Sequence, residues 1–174
     1  MSAILKELSD SNAKRSSNSS VKIDGEEFQR ISDYHKLPPF FISIVSATDF
    51  WMFVSSRGSL TAGRVSPENA LFPYKPDDQI HDSWAHTGPV AIFKIADNTK
   101  EYIWRPFEDS VSSKYFITRN LYKNKLGTTL VFEEINEDLQ VRYQYKLSIA
   151  SDFGLVMGCN LSSNSEKKLS VNML

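Results

Sequence analysis

The chain has 174 residues, 41% of them hydrophobic and 12% aromatic, which suits one domain with a real core, or one domain with a tail. A net charge of −1 and a pI near 6.3, with Lys and Arg scattered, speak against a general nucleic-acid binder. Cys159 is the only cysteine, so an intrachain disulfide and a cysteine metal cluster are excluded.

A lone thiol fits a reducing compartment, and a buried, inert side chain is the expectation for it. Met1–Leu8 lacks the basic and apolar regions of a signal peptide, and a cytoplasmic protein is expected. The most apolar stretch, Pro39–Val54, is interrupted by Asp49 and falls short of the ~20 residues of a membrane helix. No membrane partner is expected.

Residues 1–20 read as a polar leader rich in Ser and Asn, with too little apolar area to offset ordering entropy. The domain is placed at 21–174. Strand signals lie at 41–46, 50–55, 90–95, 101–105, 115–122, 128–134, 139–149, 154–160 and 169–173. The clearest is 139–149, where Leu139, Val141, Tyr143, Tyr145, Leu147 and Ile149 alternate with Gln140, Arg142, Gln144, Lys146 and Ser148. Period two with one apolar face is the pattern of an antiparallel strand. Asn124–Gly127 and Asn136–Asp138 carry turn chemistry. The short spacings leave no room for crossover helices, so an all-β antiparallel sandwich follows. An apolar strand pattern running to Leu174 suggests truncation at the C-terminus.

The segment from Asp49 to Ser83 is the chemically richest. An aromatic strand, Phe50–Val54, leads into Gly58-Ser-Leu-Thr-Ala-Gly63-Arg64. The glycine spacing is that of a phosphate loop, but Arg64 and Val65 stand where Lys and Ser or Thr are needed. A β-turn is the simpler reading, with glycine supplying positive φ. Arg57, Arg64, Asn69, Tyr74, His81, Asp82 and Trp84 are the candidate carbohydrate- or phosphate-binding residues. A guanidinium forks onto hydroxyls or phosphate, and amides, phenols and carboxylates bond sugar hydroxyls. Trp84 has two readings, ligand stacking or loop packing. Phe50 and Phe53 are expected in the core, because both faces of their strand are apolar.

His81, Asp82 and His86 lack the tight spacing of a zinc site, so no metal and no cofactor is expected. Glu133-Glu134 is no glycosidase pair, because neighbours on a strand face opposite ways. Both carboxylates, like Glu108-Asp109 and Glu137-Asp138, are expected as solvated charge. No catalytic residue emerges.

Ser55–Arg64, Asn69–Tyr74 and Asp78–Ser83, with Arg119–Asn124, Phe132–Asn136 and Asp152–Gly154, resemble the N-terminal region of cellobiose phosphorylase-like proteins. These sit among inverting glycoside phosphorylases and related glycoside hydrolases. The likeness spans roughly 38–174. It implies a supersandwich-like β-domain ahead of a downstream helical barrel that carries the catalytic carboxylate. The chain alone would be inactive, serving as scaffold and substrate rim for an oligosaccharide, with a homodimer contact as a further role. A stand-alone carbohydrate-binding module and a ligand-free interaction domain are the alternatives.

Overall fold

The computed structural model describes residues 18–82, 87–109, 111–152 and 154–174. Among these described residues, twelve strands form three antiparallel sheets. The largest orders β1 (Asn18–Ile23), β2 (Glu26–Ser32), β8 (Ile117–Asn124), β9 (Thr129–Asn136), β10 (Val141–Ala150) and β11 (Gly154–Ser163) side by side. A second sheet holds β3 (Phe41–Ile44), β4 (Phe50–Ser55) and β5 (Leu60–Arg64). The third places β12 (Ser170–Met173) beside β6 (Phe93–Ala96) and β7 (Glu101–Trp104). The helical pieces are short: α1 (Asp77–Ile80), α2 (Val111–Lys114) and single 3-10 turns at Tyr34–Lys36 and Pro67–Asn69.

The architecture is the expected all-β, sandwich-like fold. One apolar cluster draws Ile117, Leu121, Phe132, Val141, Tyr143, Tyr145 and Leu147 from the large sheet. Against them it sets Ile42, Ile44, Met52, Val54, Leu60 and Ala62 of the second sheet, and Phe93, Ile95 and Trp104 of the third. Edge-on contacts of Tyr143 with Phe93, at 5.0 Å, and with Trp104 tie the large sheet to the third. Continuous burial at these positions supplies the hydrophobic driving force. On β10 the inward residues are those the alternation indicates, with Val141, Tyr143, Tyr145 and Leu147 all buried.

Three strands differ from the sequence reading. β1 begins at Asn18, inside the stretch read as a leader, and pairs with β2. The turn between them is Asp24-Gly25, both with positive φ, the two-residue turn that matches strand twist. Gly63 lies within β5 opposite Trp51, not in the turn. A Cβ there would come within 2.5 Å of Trp51 Cζ2 and 2.7 Å of the Asn69 carbonyl, so close approach demands this glycine. Gly58, with φ of 96°, does occupy the turn.

Side-chain placement brings further corrections. Phe50 is core, but Phe53 is half-buried on the opposite face of β4. There Phe41, Phe53 and Trp51 stack at 5.2 and 5.8 Å, and Tyr74 meets Trp51 edge-on. These rings cover one another instead of a facing layer. Cys159 is exposed, on β11, an edge strand of the large sheet among the described residues.

Candidate functional site

The predicted residues separate into two groups at opposite ends of the β4–β5 hairpin. Arg57, His81 and Asp82 gather at the turn. Serine hydroxyls pin the returning chain there: Ser59 Oγ donates to the Ile80 carbonyl, and Ser55 Oγ lies 2.7 Å from His81 Nδ1. Ser55 Oγ also accepts the Arg57 backbone N–H at 3.1 Å. Ile80 is fully buried beneath this junction, while Arg57 Nη1 reaches Asp82 Oδ1 at 3.2 Å in solvent.

Arg64, Asn69 and Tyr74 lie at the other end. Arg64 pairs loosely with Asp49 at 3.8 Å, and Asn69 Nδ2 reaches Ser66 Oγ at 3.4 Å. All three are exposed. The length of β5 keeps them from joining Arg57. Trp84 and His86 fall outside the described residues.

Arg57 instead meets residues that the sequence reading left aside. A cleft of about 150 Å³ is lined by Tyr34, His35, Ser56, Arg57, Asp109 and Arg119, among others. A second, of about 100 Å³, adjoins it and is lined by Pro89, Val90, Ala91, Ile92 and Pro106. Arg57 and Phe107 border both. Each is below the size of an ordinary small-molecule pocket, about 300–1,000 Å³. Such clefts accommodate one group of a larger ligand.

The floor of the polar cleft is rigid. Arg119 is nearly buried, and its Nε donates to Glu134 Oε2 at 2.7 Å while Nη2 donates to the Glu108 carbonyl at 2.7 Å. The remaining Nη1 lies 3.8 Å from Asp109, which is open to solvent. Glu134 also accepts Trp104 Nε1–H at 2.8 Å and the Phe107 N–H at 2.6 Å. That last bond holds Phe107 at a φ of 68°, a conformation costly for a bulky residue. Burial, then the nearby Arg119 charge, holds His35 below its ordinary value of 6.5. Burial pushes the Tyr34 phenol well up. At neutral pH the cleft therefore offers a neutral imidazole, a phenol and two guanidinium groups.

Glu133 and Glu134 do face opposite ways, as their spacing requires, but neither is solvated. Both are buried. Glu133 Oε1 accepts Asn120 Nδ2–H at 2.8 Å and the Tyr122 hydroxyl at 2.7 Å, and Oε2 accepts Gln144 Nε2–H at 2.6 Å. Register places Asn120 and Gln144 on either side of Glu133. Only strand order, invisible in the linear chain, makes them neighbours. Glu137 and Asp138 are exposed as expected.

Among the described residues, no three His, Cys, Asp or Glu side chains gather closely enough to hold a metal ion. No helix of the described residues is long and apolar enough to cross a membrane. No protein-family model matches the sequence, and no curated protein matches it.

Proposed function

We propose that this chain is the N-terminal, non-catalytic β-sandwich of a carbohydrate-active enzyme, a glycoside phosphorylase or hydrolase acting on β-glucosides or similar oligosaccharides. The observation that carries the reading is the polar cleft where Arg57 and His35 stand over Arg119. It is preorganised by Glu134, too small for a whole sugar chain, and suited to one hydroxyl cluster or phosphate at a substrate rim. The buried carboxylates Glu133 and Glu134 are engaged in internal bonds, which fits a scaffold better than an acid–base pair.

The stacked Phe41, Phe53 and Trp51 rings, with exposed Tyr74 and Leu71 nearby, form an apolar ridge on the second sheet. We assign this ridge to the downstream helical domain, which would cover rings that here cover only each other.

The test is phosphorolysis and hydrolysis of cellobiose and longer β-glucosides. It compares the complete translated reading frame with this chain alone. Activity is expected only in the former, and Arg57→Ala should lower kcat/KM about tenfold without changing the denaturation midpoint. Turnover by this chain alone, or unchanged kinetics in Arg57→Ala, would remove the rim reading.

A further inference from the structure

The face of the large sheet that turns away from the core is not an ordinary solvated surface. Register places one polar row across it: Asn120 on β8, Glu133 on β9, Gln144 on β10 and Asn160 on β11. The adjacent row runs Arg30, Tyr122, Val131, Lys146 and Gly158. Phe28, Tyr122 and Val131 form a small buried cluster here, with Val21 and Ile23 of β1 packed on it.

The face is concave. Ile23 and Asp24, at the β1–β2 end, line the same cleft as Gly158, Cys159 and Asn160 of β11. β1 and β11 are the two edges of the sheet, five interstrand steps apart, which is roughly 24 Å when flat. Both edges can border one cleft only if the sheet curls toward this side. The cleft measures about 670 Å³, and a contiguous one of about 460 Å³ extends it over Tyr122, Glu133 and Arg142. That is the size of a ligand site, and its open form admits a chain.

The chemistry selects the ligand. Glu133 orients Asn120, Tyr122 and Gln144 through three short hydrogen bonds, and Arg142 Nη1 stands 3.7 Å from its Oε2. Gln144, which lines the groove, gives one N–H to Glu133 and keeps a carbonyl oxygen and a second N–H. Asn160 adds another amide at the exposed wall. Such planar donor–acceptor pairs match vicinal hydroxyl groups. Charges along the groove are mixed, with Lys22, Arg142 and Lys146 set against Asp24, Glu26 and Glu133. A polyanion finds no one-sided field there.

We infer that this groove binds a neutral oligosaccharide, with Gln144 and Asn160 holding its hydroxyls and Glu133 acting as the positioning residue. The site is separate from the Arg57 cleft and does not depend on its assignment.

The experiment is calorimetric titration of this 174-residue chain with cellotetraose, maltotetraose, xylotetraose and oligogalacturonate, each up to about 10 mM. Saturable binding of at least one neutral tetrasaccharide is expected. Gln144→Ala should weaken it about tenfold. Gly158 sits on the groove face with open space where a Cβ would be, so Gly158→Phe should block the cleft while the fold is retained. Binding lost in Arg57→Ala but kept in Gly158→Phe would place the sugar at the rim instead, which keeps failure of this site distinct from failure of the rim. The inference is overturned by no binding to any neutral tetrasaccharide, by binding to oligogalacturonate alone, or by affinity indifferent to both Gln144→Ala and Gly158→Phe.

Discussion

Glu133 and Glu134 adjoin in the chain, yet their carboxylates lie on opposite faces of the large sheet and organise two unrelated networks. Glu134 sits on the core side, paired at 2.7 Å with the nearly buried Arg119. A charge taken out of water is tolerated only when a partner and hydrogen bonds replace the lost hydration. Three donors meet Glu134 in this way.

Removing that partner should therefore be severe. Glu134→Ala is expected to destabilise by about 3–5 kcal/mol in urea unfolding, because Arg119 is left buried and uncompensated. A pair substitution, Arg119→Met with Glu134→Leu, should recover much of the loss. A Glu134→Ala protein as stable as the parent would show that Arg119 reaches solvent in another way.

His35 makes stability depend on pH. Its pKa is lowered in the folded chain, first by burial and then by Arg119. The unfolded chain consequently binds the proton more readily. Stability is fully present above the ordinary value of 6.5 and declines as pH falls through it, levelling off below the folded pKa. The urea midpoint of the parent should fall between neutral pH and pH ~5 more steeply than that of His35→Gln. Parallel curves would remove His35 as the cause.

Two glycines make opposite predictions. Gly63→Ala should cost about 1–3 kcal/mol, since its Cβ would press on Trp51 and on the backbone of Asn69 and Ala70. Gly158→Ala meets open space and should stay within about 0.5 kcal/mol of the parent. Thermal unfolding of the two variants side by side decides the matter.

Arg64→Ala tests the other half of the sequence-derived site. Its ion pair with Asp49 is long and exposed, so a loss below about 1 kcal/mol is expected. In the enzyme we propose, its turnover should fall less than that of Arg57→Ala, because Arg64 lies at the far end of the hairpin. A larger fall would place the substrate rim there instead.

Cys159 should react with a thiol reagent in the native state at a rate close to that of the urea-unfolded chain, as its exposure implies. Protection that disappears only on unfolding would mean that the edge of β11 is covered in solution.

The fold class was legible because alternation is a local property. Val141, Tyr143, Tyr145 and Leu147 point inward for the same reason that their sequence alternates with polar residues, and the Asn124 and Asn136 turns carry their own geometry. The Asp24-Gly25 hairpin was equally legible, a two-residue signal flanked by Val21 and Phe28, but it stood beside a polar leader that masked it. The site was legible in part. Arg57, His81 and Asp82 do meet, since Ser55 and Ser59 fix the returning chain.

Sequence by itself determined most of the strands, though not β1, β2 and β5, most of the turns, and the opposite facing of Glu133 and Glu134, because each rests on backbone period or on residues a few positions apart. Only the tertiary structure decided that Arg119 and Arg57 border one cleft, that Arg64 stands away from it, and that Asn120, Glu133, Gln144 and Asn160 form one row. Those relations depend on strand order and on the curl of the sheet. Both are set by burying one shared core across three sheets, and no short window of sequence encodes that sum.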